Sequence, residues 1–187
     1  MIHWMSYFPS ELCDTIQGVR RKRASSGDTM EALDRLQTMA LTYQAVCQGE
    51  RPWVALGNFM NEWFDYAKDH RARLIADPLI LPDAPGIDAL RWAAFCAASV
   101  EWLCGRYGIA CPSWVHDSVY CLPEPWFDSP GAHKPQVRAR LLHQTPEPFS
   151  RRNVYCGNRM FANKYEFAEH YQRRHATATT TATSALS

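Results

Sequence analysis

The sequence predicts an all-α fold: an irregular helical bundle, loop-rich in its C-terminal half, built around one buried helix over residues 87–107. Two observations carry this prediction. The stretch Ile87 to Tyr107, IDALRWAAFCAASVEWLCGRY, is apolar on nearly every face, with only Ser99 and Glu101 polar between Trp92 and Cys104. A surface helix shows one apolar stripe, so a helix apolar all round must be covered by neighbours. Its small residues Ala93, Ala94, Ala97, Ala98 and Ser99 allow close approach, and Trp92, Phe95, Trp102 and Leu103 fill space beyond them. The second observation is that the flanking segments repeat apolar residues at three- and four-residue steps between helix start and stop signals.

A first helix is expected from Ser10 to about Arg23, with Glu11 and Asp14 at its positive end and Arg20 to Arg23 at its negative end. The same RRKR run also has the composition of a phosphate-binding patch. Asp28 and Glu31 form a D-x-x-E capping box for a second helix, with Leu33, Leu36, Ala40, Tyr43 and Cys47 inward and Gly49 as its stop. Pro52 opens a third, whose buried side is Leu56, Phe59, Met60, Trp63, Phe64 and Ala67, continuing or breaking near Asp69. Pro78 to Gly86 is extended, since its prolines fix backbone angles, and Leu79, Ile80 and Leu81 are expected against the core. Pro85 and Asp88 open the central helix and Gly108 ends it. From Ile109 to His133 prolines alternate with Trp114, Tyr120, Trp126 and Phe127, as in a loop ordered by buried aromatics and wrapped around the central helix. Pro135 starts a short helix with Val137, Leu141 and Leu142 inward and Arg138 and Arg140 outward. Thr145-Pro146-Glu147 starts another, Asn153 to Cys156 is extended, and Asn163 and Glu166 box a last helix. One domain over 1–175 and a disordered tail over 176–187 complete the expected organisation.

The hydrophobic fraction of 47% and aromatic fraction of 12% belong to a folded protein. A net charge of +1 excludes a whole-molecule field for nucleic acid or anionic lipid. The distribution is uneven, because residues 132–187 hold nine Lys and Arg against three acids. Seven cysteines in no dense framework, together with no leader pattern and no apolar run of about 20 residues, suggest a cytoplasmic protein without a membrane span.

Three groups are candidates for chemistry. Cys111-x4-His116-x4-Cys121 matches the second half of a zinc knuckle, with Cys104 upstream, but the C-x2-C that brings two thiolates onto one ion is missing. Buried thiols are therefore expected and no metal, with Cys111, His116 and Cys121 the alternative. Glu62, Asp65 and Asp69, with His70 beside them, recur along one side of the third helix, which suits either a divalent cation and acid–base work or a solvated face. Arg151, Arg152, Arg159 and Lys164 lie among Phe149, Tyr155, Phe161, Tyr165 and Phe167, a composition that holds an acidic protein surface or single-stranded nucleic acid when exposed, and helix carbonyls or acids when buried. Nucleophile-elbow, Walker, dinucleotide and HExxH motifs are absent from the sequence.

Trp114 to Asp117 (W-x-x-D), Leu122 to Phe127 (L-x-E-P-W-F) and Pro146 to Arg152 (P-x-x-F-x-R-R) occur in that order. This pattern resembles a family of uncharacterised bacterial proteins, some of which look like DNA-binding regulators or members of toxin–antitoxin pairs. The resemblance covers mainly residues 87–170 and implies a regulatory, antitoxin-like role. It supplies no catalytic residues, and this chain shows no helix-turn-helix at its N-terminus. The function expected is thus non-enzymatic partner binding through Arg151, Arg152, Arg159 and Lys164, with another protein as partner and no cofactor. An enzyme using Glu62, Asp65, Asp69 and His70, and a nucleic-acid binder using the basic C-terminal region, are the alternatives.

Overall fold

The computed structural model describes residues 36–161. Contacts separate the chain between Leu36 and Gln37, and the elements below all belong to the second unit. The helices expected at Ser10–Arg23 and after Asn163, the tail, and the outer parts of the expected 1–175 domain lie outside the described residues.

The fold is all-α, with one two-residue strand pair among the described residues. Helix α1 runs Met39–Cys47 and is capped by the extended Thr38; the capping box expected at Asp28 and Glu31 lies outside the described residues. Thr38 Oγ1 accepts from Leu41 N at 3.2 Å, and the Thr42 hydroxyl donates to Thr38 O at 2.8 Å. Its buried face is Met39, Thr42 and Tyr43, so Cys47 faces outward rather than inward. Gly49 ends the segment at φ +97°, a conformation that favours glycine.

Helix α2, Pro52–Asn61, begins with proline in its first turn and runs into a π-helical turn, Glu62–Tyr66, closed by Ala67 N donating to Glu62 O at 2.9 Å. Such a turn takes an extra residue per repeat. Phe59 and Trp63 thereby both remain fully buried and Phe64 nearly so, while Met60 is half-buried. Arg71, opening the short helix α3 (Arg71–Leu74), donates from Nε to Trp63 O at 2.9 Å and lies over the Tyr107 ring at 4.3 Å. In the extended segment that follows, Leu79 alone reaches the core. Ile80 is 80% exposed, since successive side chains of an extended chain point to opposite sides.

The central helix, α4, spans Ile87–Tyr107 between Gly86 and the left-handed cap Gly108. Every residue from Ala93 to Val100 is buried. Its small positions admit α1 on one side and the C-terminal segments on others, Tyr43 ties α1 to it by donating to Ala89 O at 3.2 Å, and α2 reaches it through Trp53, whose ring stands 5.5 Å from that of Phe95. Phe95 meets Phe149 edge-on at 5.3 Å, and Trp92 meets Trp126 at 5.2 Å.

After Gly108 the chain turns back along α4 through two 3-10 turns, Ser113–His116 and Ser118–Tyr120. Trp114 Nε1 donates to Ile75 O at 3.0 Å, and Tyr120 is buried. Strand β1 (Trp126–Phe127) pairs in parallel with β2 (Val154–Tyr155), Trp126 opposite Val154 and Phe127 opposite Tyr155. Between them lie α5, Pro135–Gln144, and the single turn α6, Glu147–Ser150.

Candidate functional site

The three stretches of the sequence pattern meet at one residue, Arg152. Residue 152 follows α6, whose Phe149 is fully buried against α4, so the arginine is carried inward and is 2% exposed. A buried guanidinium must find acceptors. Nη1 donates to Glu101 Oε2 at 2.7 Å and to Pro148 O at 2.6 Å, and Nη2 donates to Val115 O at 2.7 Å. Its Nε is buried with no acceptor. The backbone of the same residue accepts from Leu122 N at 3.1 Å, and Asn153, at φ 60°, returns a side-chain bond to Leu122 O at 2.7 Å. Arg152 thus clamps α4, the 3-10 turns and α6 together. It does not lie on an exposed face with Arg151 and Arg159, because the anchored Phe149 turns it toward the core.

Arg151 emerges on the other side, 39% exposed in its side chain. It pairs with Glu101 Oε2 and, at 3.5 Å, with Glu147 Oε1, and its Nη2 stands 3.5 Å from His116 Nδ1. Two carboxylates therefore offset its charge and that of Arg152 together. Arg159 is exposed, and Lys164 lies outside the described residues.

Beside this clamp an open groove of about 700 Å³ runs over the end of α4, lined by Glu101, Trp102, Cys104, Cys111, His116 and Pro148 among others. The helix cap at Gly108 reverses the chain so that Cys111 returns beside Cys104, whose Sγ lies 4.0 Å from the carbonyl oxygen of Ala110, the residue before Cys111. Burial pushes the Cys104 thiol up to about 12, with Cys111 and Glu101 adding to it. Burial also raises the Cys111 thiol, while the guanidiniums of Arg152 and Arg151 act in the opposite sense. His116 shares the groove; Cys121 is exposed and does not line it. Among the described residues no group of three His, Cys, Asp or Glu side chains is close enough to hold a metal ion.

The carboxylates of the third predicted helix do not assemble either. A 3.6-residue period aligns Glu62, Asp65 and Asp69, but a π turn at Glu62–Tyr66 and a 3-10 turn at Lys68–His70 replace that period, and among the described residues no three such side chains are close enough to hold a metal ion. Asp65, Asp69 and His70 are exposed and Glu62 is half-buried.

A different cationic surface is present on α5. Of its ten residues only Leu141 is buried, by contact with the core, and Leu142, expected inward, is 52% exposed. Lys134, Arg138, Arg140, His133 and His143 are all exposed, and no acidic residue occurs between Asp128 and Glu147. Arg138 is partly engaged, its Nε donating to Ala132 O at 2.7 Å and its guanidinium 4.9 Å from the Phe127 ring centre. Lys134 stands at the N-cap with no acid in the first turn, where the helix dipole already carries positive charge. The sequence signal for this face was the acid-free interval itself, which the more conspicuous Arg151-Arg152 pair overshadowed.

No protein-family model matches this chain, and no curated protein and no solved structure matches it. The resemblance to regulator-associated bacterial proteins therefore rests on the sequence pattern alone, and the class defined by fold and geometry is a mostly α-helical protein. Among the described residues no helix is long and apolar enough to cross a membrane.

Proposed function

We propose that this chain is a non-enzymatic, regulatory partner-binding protein whose contact surface is the cationic helix α5, and that its partner is an acidic segment of another protein. The observation that carries this reading is the exposure of Lys134, Arg138 and Leu142 along one side of a short helix, with Arg140 exposed on its other side, in a stretch of sequence free of acids. Basic side chains flanking an exposed leucine fit carboxylates flanking an apolar anchor, so the charges supply orientation and association rate and the leucine supplies buried area. An antitoxin-like role, in which such a face is held against a toxin or regulator, is the finer form of this proposal and is supported by the sequence resemblance. Nucleic acid is the second reading for the same charges, but Leu142 has no use on a phosphate backbone.

The test is fluorescence anisotropy with two labelled probes, a Glu- and Asp-rich peptide carrying one leucine, and a single-stranded oligonucleotide. The peptide is expected to bind saturably and a Lys134→Glu/Arg140→Glu variant to lose it. Preferential binding of the oligonucleotide, weakening steeply with salt in proportion to the phosphates neutralised, would move the assignment to nucleic acid.

A further inference from the structure

Cys104 and Cys111 stand apart from the other described cysteines. They line the same groove, they are joined by the turn at Gly108, and Cys104 Sγ also reaches Ala110 O at 4.0 Å. We propose that Cys104 and Cys111 form a reversible dithiol–disulfide site, oxidised through the groove by low-molecular-weight disulfides such as oxidised glutathione.

The geometry assigns the order of attack. Cys104 is buried, whereas Cys111 is half-buried and open to the groove. A thiolate, not a thiol, is the nucleophile. The Cys111 thiol therefore releases its proton, and its sulfur attacks one sulfur of oxidised glutathione. The S–S bond of the small molecule breaks, and the departing thiolate takes up a proton. Cys104 then gives up its proton and attacks the Cys111 sulfur of the mixed disulfide, expelling the second glutathione thiolate, which is protonated in turn. The two protein thiols lose two electrons in all and one glutathione disulfide becomes two thiols. Because Cys104 Sγ already reaches the carbonyl of the residue before Cys111, and both cysteines line one groove, closing the bond demands little movement. Burial keeps both thiols protonated at neutral pH, so the site responds to a sustained shift in the thiol–disulfide balance rather than to a brief pulse.

The consequence reaches the clamp. Val115, whose carbonyl accepts from Arg152, is four residues beyond Cys111, so a disulfide ties the end of α4 to the segment that supplies this acceptor. Oxidation is expected to stiffen the groove wall and raise the melting temperature.

The full-length protein is incubated with graded ratios of reduced to oxidised glutathione, quenched with acid, alkylated and mapped by mass spectrometry. The expected product is a Cys104–Cys111 linked peptide pair, reversed by dithiothreitol, with a higher melting temperature for the oxidised form. Cys104→Ser should retain glutathione on Cys111 as a stable adduct, and Cys111→Ser should leave Cys104 unmodified. The proposal is overturned if glutathione remains on Cys111 in the wild type, if the first disulfide formed uses Cys13, Cys47 or Cys121, or if both thiols stay reduced at ratios that oxidise other cysteines.

Discussion

Arg152 Nη1 stands 2.7 Å from Glu101 Oε2, joining a buried guanidinium to the only acidic side chain in the apolar middle of the central helix. The neighbouring Arg151 uses the same oxygen from the solvent side. The two arginines should therefore differ sharply in their contribution to stability. Arg152→Met is expected to cost about 3 kcal/mol, because it removes donors from Glu101, Pro148 O and Val115 O at once. Arg151→Ala should cost no more than about 1 kcal/mol, as for other exposed pairs. Urea unfolding of both variants checks the ordering, and equal costs would remove the clamp from the account.

The central helix is open to a second test. Ala94 and Ala97 are fully buried, and a glutamate at either meets no counter-charge in the packed helix face. Ala94→Glu and Ala97→Glu should each abolish folding, since an unpaired buried charge costs several kcal/mol of a total that is roughly 5–15. Circular dichroism and solubility are the readouts; cooperative unfolding of both variants would contradict the assignment.

Asp128, just after β1, is half-buried, and burial holds its carboxyl above the ordinary 3.8. Folding therefore favours its protonated form. The contribution to stability is complete below pH 3.8 and is lost as pH rises through the raised folded value. Asp128→Asn, which cannot ionise, should match the wild type near pH 3 and be the more stable of the two at pH 7. Urea midpoints at both pH values give the comparison, and a variant that is less stable at pH 7 would show that the carboxylate has a partner stronger than its desolvation.

The central helix was legible because burial on every side leaves its mark in composition, and Ser99 and Glu101 stood out within it. Ser99 satisfies itself by donating to Phe95 O at 2.7 Å, a local bond that any helix offers. The partner of Glu101 lies 51 residues away, and no spacing rule reaches that far. Arg151 and Arg152 are the same residue type at adjacent positions, and only the anchoring of Phe149 decides which one turns inward. Leu142 misled for a related reason. The helical period places it beside Leu141, but α5 touches the core along a single line, so one leucine is buried and its neighbour is not. The candidate acids at 62, 65 and 69 fall on and beyond a π turn, a local rewinding with no simple sequence signal.

Charge reversal on α5 should leave the fold intact, as surface substitutions usually change stability by within about 0.5 kcal/mol. The melting temperature of the Lys134→Glu/Arg140→Glu variant is therefore expected to stay close to that of the wild type. A large fall would make these side chains part of the fold and not of a contact surface.

Hydrogen exchange of the full-length protein, with and without a saturating acidic leucine-bearing peptide, tests the proposed contact surface most directly. The account predicts slowed exchange concentrated in residues 133–144, absent in the Lys134→Glu/Arg140→Glu variant. Protection confined to the groove around Cys104, Cys111 and His116, or no protection at all, would contradict it.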